Sequence, residues 1–162
     1  MNQFANKWEQ ALIKAKACKN QLNKLLNAET DIESVKVVIN NLNWSMNNLP
    51  EMLKDGIRLY PDGIKSNNWY AVRWAVRHGK LDILKYLHSI VDITDGIKSD
   101  NWAAVRYAAH YGKLNILKYL HSITDISDGI KSDNWYVVRK ANTETKQWLN
   151  YTFSELMKEY VN

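Results

Sequence analysis

DGIKSNNWYAVRWAVRHGKLDILKYLHSIVDIT, residues 62–94, is followed without a gap by DGIKSDNWAAVRYAAHYGKLNILKYLHSITDIS, residues 95–127, and the two agree at 24 of 33 positions. Agreement that dense makes the segment a tandem repeat. A third copy starts in phase at Asp128 with DGIKSDNWYVVRKA and leaves the pattern after Ala141, so it reads as a truncated or capping copy. Units of this length cannot bury an apolar face alone and must stack on their neighbours.

Within each copy the spacing predicts a turn and two helices. Asp62-Gly63, Asp95-Gly96 and Asp128-Gly129, with Ile93 before and Ile97 after the second pair, give a two-residue hairpin signal, so each copy is expected to open on a β-turn finger. From Asn101 to Tyr111 the residues Ala104, Val105, Ala108 and Ala109 fall on one helical face, and Gly112 supplies a stop. Leu114, Ile116, Leu117 and Leu120 then mark a second helix, with Lys113 and Lys118 left to solvent.

These residues carry a resemblance. The stretch from Ala108 to Leu114, of the form A-A-x-x-G-x-L, and AVRWAVRHGKLDILKYL at 71–87 resemble ankyrin repeats, of the A-V-R flavour seen in the ankyrin arrays of large DNA viruses. The pattern departs from the family in three ways: Thr-Pro is absent, Lys113 follows the glycine where histidine is usual, and Arg73, Arg106 and Arg139 stand at the histidine of T-P-L-H. The close resemblance covers about 62–141, roughly half of the chain. It implies an all-α, short ankyrin-like solenoid of helix pairs with β-turn fingers.

Upstream the pattern is looser. Thr30 to Glu33 reads as a capping box before Ile32, Val35, Val38, Ile39 and Leu42, and Pro50 can start a helix through Glu51, Met52 and Leu53 that ends near Gly56. Residues 29–61 therefore read as a degenerate first repeat. In 1–28, Phe4, Trp8, Ala11, Ala15, Cys18, Leu22 and Leu25 follow a 4,3 alternation that puts them on one stripe of a helix. That helix either caps the stack or pairs with a second chain, making the protein a monomer or a homodimer. The organisation expected is 1–28 as capping or pairing helix, 29–61, 62–94 and 95–127 as repeats, and 128–162 as truncated repeat and cap.

Composition narrows the function. No run approaches the roughly 20 apolar residues of a membrane span, the N-terminus lacks the apolar core of a secretory signal, and Cys18 is alone, so a soluble cytoplasmic protein is expected. The net charge of +5 is concentrated in 1–28, where Lys7, Lys14, Lys16, Lys19 and Lys24 face Glu9 alone. The repeats are near neutral and lack the basic stripe of a phosphate-gripping array, which makes nucleic acid an unfavoured partner. No glycine-rich phosphate loop, nucleophile elbow, H-E-x-x-H or paired-cysteine spacing occurs, so neither catalysis, a metal nor a cofactor is expected. His88 and His121 lie one repeat apart, and two ligands without a third do not make a zinc site.

What recurs instead is aromatic. Trp69, Trp102 and Trp135 stand at the start of each first helix and, with seven Trp and nine Tyr in the chain, form a column that reads either as a binding hot spot or as structural packing. By the ankyrin resemblance this column, with Asn67, Asp100 and Asp133 just before it, falls on the finger and inner-helix surface used for protein partners. Arg77, His78, His110 and Tyr111 fall at the other end of the same helices. The arginine column reads as hydrogen-bonding to finger carbonyls or to the next repeat. The expected function is protein binding without turnover, with the resemblance implying a virus- or pathogen-encoded inhibitor or adaptor of a host protein. The alternatives are a nucleic-acid binder using the lysine-rich helix and Trp stacking, and a structural homo-oligomer.

Overall fold

The computed structural model describes residues 3–14, 27 and 50–161, and among these every regular element is helical. The chain divides into two compact units, Met1–Ser66 and Asn67–Asn162. In the first, α1 (Gln3–Lys14) is joined to α2 (Pro50–Leu59) by an ion pair between Lys7 and Asp55, and Met52, Leu53 and Ile57 are buried. Pro50 opens α2 as its spacing predicted, because a first-turn position needs no N–H. The helix runs on past Gly56 to Leu59. A 3-10 turn at Pro61–Lys65 follows. The remaining stripe positions Ala15, Cys18, Leu22 and Leu25, and the capping-box segment from Thr30 to Leu42, lie outside the described residues.

The second unit is built from the repeat. Helices α3 (Ser66–Arg77) and α4 (Leu81–Ile90) form one pair, α5 (Thr94–His110) and α6 (Leu114–Ile123) the next, and α7 (Ser127–Lys140) and α8 (Thr143–Thr152) the third, followed by α9 (Ser154–Val161). Equivalent helices α5 and α7 pack side by side, and α6 packs on α5. The predicted faces are the buried ones: Ala104, Val105, Ala108 and Ala109 of α5, Leu84 and Leu87 of α4, and Ile116, Leu117 and Leu120 of α6 are closed to solvent. Gly112 stops α5 as expected, with φ +62 and the N–H of Lys113 donating to Ala108 O at 2.8 Å. Lys113 itself is only half exposed, its stem lying over Gly79. In the third copy Asn142 caps α8 by accepting from the Thr145 N–H at 2.9 Å, so the pair closes without the Gly-Lys loop.

The fingers are not β-turns. Asp95-Gly96 and Asp128-Gly129 lie in the first turn of α5 and α7, Asp62-Gly63 lies in the 3-10 turn, and no strand occurs among the described residues. The hairpin expectation took Ile93 and Ile97 as strand residues flanking a tight turn. They are four apart, one helical turn, and the Ile97 N–H donates to Ile93 O at 2.9 Å with both side chains buried. Asp92 sits two residues before this turn and accepts from the Thr94 hydroxyl at 2.7 Å and its N–H at 2.9 Å; Asp125 does the same with Ser127.

These bonds favour the ionised acid, so Asp92 and Asp125 are held below the usual carboxylate range, by the Thr94 or Ser127 hydroxyl first and the backbone N–H second. A lowered folded-state value means the stabilisation is complete above the unfolded value near pH 4 and is lost as pH falls through the folded one. Asp92→Asn with Asp125→Asn should therefore flatten the drop in melting temperature between pH 5 and pH 2. An unchanged acid limb in thermal melts would show that these turns do not respond to protonation.

Candidate partner-binding surface

The helices that carry the candidate residues are bent by an unusual turn. After a right-handed first turn, Ser99 is extended (ψ 153) and Asp100, Asn101 and Trp102 all have φ between 51 and 60, a single left-handed turn before α5 resumes. The same three positions are left-handed at Asn67, Asn68 and Trp69 and at Asp133, Asn134 and Trp135. Asn and Asp tolerate this region through local hydrogen bonding, but a tryptophan there costs about 1–2 kcal/mol.

Two contacts offset that cost. The Trp69 ring lies against Gly96 and the Trp102 ring against Gly129, so closely that a Cβ on either glycine would sit 2.8 Å from the ring's Cε3. Here glycine serves the close approach of an indole from the preceding copy. The second contact is made by arginine, which clamps the carbonyls of its own left-handed turn: Arg73 Nη2 donates to Asn67 O at 3.0 Å, Arg106 to Asp100 O and Asn101 O at 3.0 Å, and Arg139 to Asp133 O at 2.9 Å. Arg73 also reaches Asp100 of the next copy, and Arg106 reaches Asp133 at 3.2 Å. Arg73 and Arg106 thus each tie one turn to the next, which is both of the roles their sequence position suggested, while Arg139 clamps its own turn alone.

At the other end of the same helices the exposed residues Arg77, His78, His110 and Tyr111 are ordered by aromatic contacts. The Arg77 guanidinium lies 5.9 Å from the Tyr107 ring and 5.8 Å from that of Tyr111. His78 stacks on Trp74 at 4.1 Å, and its Nδ1 donates to Trp74 O at 2.9 Å. His110 meets Tyr111 edge-on at 4.8 Å and stacks over Tyr136, whose hydroxyl lies 2.9 Å from His110 Nδ1. Tyr136 is flanked by Arg106 at 6.0 Å and Arg139 at 5.9 Å. No protein-family model matches the chain. Neither the curated proteins nor the solved structures give a match.

The ten residues singled out by sequence therefore separate into two groups. Arg77, His78, His110 and Tyr111 are exposed and gathered on neighbouring helices. Trp69, Trp102 and Trp135 are half-buried: the first two rest on glycines of the next copy, and Trp135 lies 5.5 Å from Tyr160 of α9. Asp100 and Asp133 are the acceptors of the arginine ladder, and the carbonyl of Asn67 receives Arg73. Sequence reasoning missed Tyr70, Trp74, Tyr107 and Tyr136. Their signal was present, since Tyr70, Trp74, Arg77 and His78 recur at helical spacing and all four differ between the two full copies. His88 and His121 pack on aromatic neighbours, His88 Nδ1 at 3.0 Å from the Tyr119 hydroxyl and His121 against Trp148 and Phe153. Among the described residues no three His, Cys, Asp or Glu side chains are grouped as metal ligands would be.

Proposed function

We propose that the second unit is an ankyrin-like recognition module that binds a protein partner across the exposed ends of α3 and α5. The observation that carries this reading is the surface of Arg77, His78, His110 and Tyr111, in which cation–π and ring contacts fix the side chains before any partner arrives. Arginine and tyrosine are the residue types enriched in hot spots, and side chains already ordered lose little entropy on binding. The Trp column takes the structural part, holding the copies in register behind this surface. Binding rather than turnover is the activity we assign, so an effect on the partner would come by occlusion or by bridging, as expected of an inhibitor or adaptor.

Selection of random displayed peptides against the full chain tests the reading. The wild type should enrich a consensus that the variant Arg77→Ala/His78→Ala/His110→Ala/Tyr111→Ala binds at least 30-fold more weakly, a loss of about 2 kcal/mol, while its melting temperature moves by only a few degrees. A consensus that survives the four changes, or none at all, would remove the support. If binding is instead transferred to single-stranded nucleic acid and falls steeply with salt, the nucleic-acid alternative gains.

A further inference from the structure

Between α3 and α5 the side chains of Tyr70, Arg73, Trp74, Arg77, His78 and Tyr107 enclose a pocket of about 70 Å³. Its lining holds two guanidinium groups and no carboxylate. Asp100 pairs with Arg73 and offsets one of the two charges, but the Arg73 Nε is buried and has no hydrogen-bond partner among the described residues. Arg77 makes no ion pair among them and rests only on the Tyr107 and Tyr111 rings. Aromatic rings on two sides lower the local dielectric and strengthen whatever charge-assisted bonds form there.

The next copy shows what this pocket would look like closed. The corresponding space between α5 and α7 has Arg106 in place of Arg73 and His110 in place of Arg77, and Tyr136 fills it, its phenol on His110 and its ring against Arg106. The residue that stands in α5 where Tyr136 stands in α7 is Ala103. From that position α5 therefore sends no phenol toward Arg73 and Arg77, and Ala103 itself is closed to solvent. Of the nine positions that differ between the two full copies, four (70, 74, 77 and 78) line this pocket. Divergence between copies of one sequence has therefore fallen heavily on this pocket while the leucines and the arginine column stayed fixed.

We propose that the pocket receives a single oxyanion group, a carboxylate or a phosphate carried by the partner, held by Arg77 and Arg73 between the Trp74 and Tyr107 rings. The pocket is small and opens to solvent, which suits the head of an acidic side chain. Guanidinium forks match both oxyanions in geometry. The inference rests on the protein-binding reading above and adds the chemistry of one contact.

The test follows the Trp74 indole and the arginine Nε–H signals by NMR while the full chain is titrated with inorganic phosphate, acetate or sodium chloride at matched ionic strength. Phosphate or acetate should give saturable shifts at Arg73 and Arg77 that chloride does not, and the stronger of the two names the source. Arg77→Gln should weaken binding at least 10-fold. Ala103→Tyr, which places at this buried position the tyrosine of the third copy, should abolish it with both arginines in place while the amide spectrum stays that of the folded chain. Shifts that do not saturate, that chloride reproduces, or that both variants retain would overturn the proposal. Failure here is separable from failure of the binding reading: a peptide consensus without an acidic or phosphorylated position leaves the surface standing and removes the oxyanion.

Discussion

Trp102→Ala is expected to destabilise the second unit by about 2–3 kcal/mol, less than the 3–5 of a fully buried indole because the ring is half-buried. The loss comes from the empty space left against Gly129 and Val105, while the backbone strain of the left-handed turn persists with alanine in place. The matching change, Gly129→Ala, puts a Cβ 2.8 Å from the ring and should cost about 1–3 kcal/mol alone. Combined, the two should not add. With the ring gone the new methyl occupies part of the space it vacated, and alanine is the better helix former, so the second substitution becomes nearly neutral. A double-mutant cycle by urea denaturation would read a coupling of about 1–2 kcal/mol. Additive costs would mean that the indole and the glycine do not meet, and the Trp column would return to being a candidate for direct partner contact.

The other large effect lies in the leucine layer. Leu117 is closed to solvent in α6, with Ile116 and Leu120 buried beside it, and its replacement by alanine should cost about 2–5 kcal/mol. For a unit of this size that corresponds to a fall of at least about 8 °C in melting temperature. Lys118, one position on and exposed, is the control: its change to alanine should stay within about 0.5 kcal/mol. A cost below about 1 kcal/mol for Leu117 would show that the helix pairs are not held by this layer.

The contrast between Leu117 and Gly129 shows what the sequence made legible. Helical periodicity reports burial, so Leu84, Leu87, Leu117 and Leu120, the small face of α5 and the glycine stop after it could be read directly. The Asp-Gly pairs could not be, because glycine serves equally for a tight turn and for a close approach, and only the position of the Trp102 ring distinguishes the two. The left-handed turn left a clue in Asn67-Asn68, Asp100-Asn101 and Asp133-Asn134, residue types that enter that region readily, but tryptophan as its third member contradicts the usual preference. Arg77, His78, His110 and Tyr111 were singled out through the ankyrin resemblance, and all four are exposed. Tyr70, Trp74, Tyr107 and Tyr136 were missed because a large aromatic on a helix reads first as core, as Trp74 indeed is, and the partners that Tyr107 and Tyr136 meet stand in the preceding copy.

The arginine ladder bears on how such a chain can change length. Arg73 and Arg106 each find a carboxylate 27 residues ahead, in the following copy, so neither pair is encoded within one unit. Loss or gain of a whole 33-residue block by unequal crossing-over brings another arginine opposite the same aspartate and keeps the pairing. The first rung obeys the same logic: 33 positions before Arg73 stands Asn40, and the acceptor position it would have addressed is Asn67 rather than aspartate. Any shift out of phase would set guanidinium groups against the wrong side chains, so the ladder selects for duplications that preserve the period and removes those that do not.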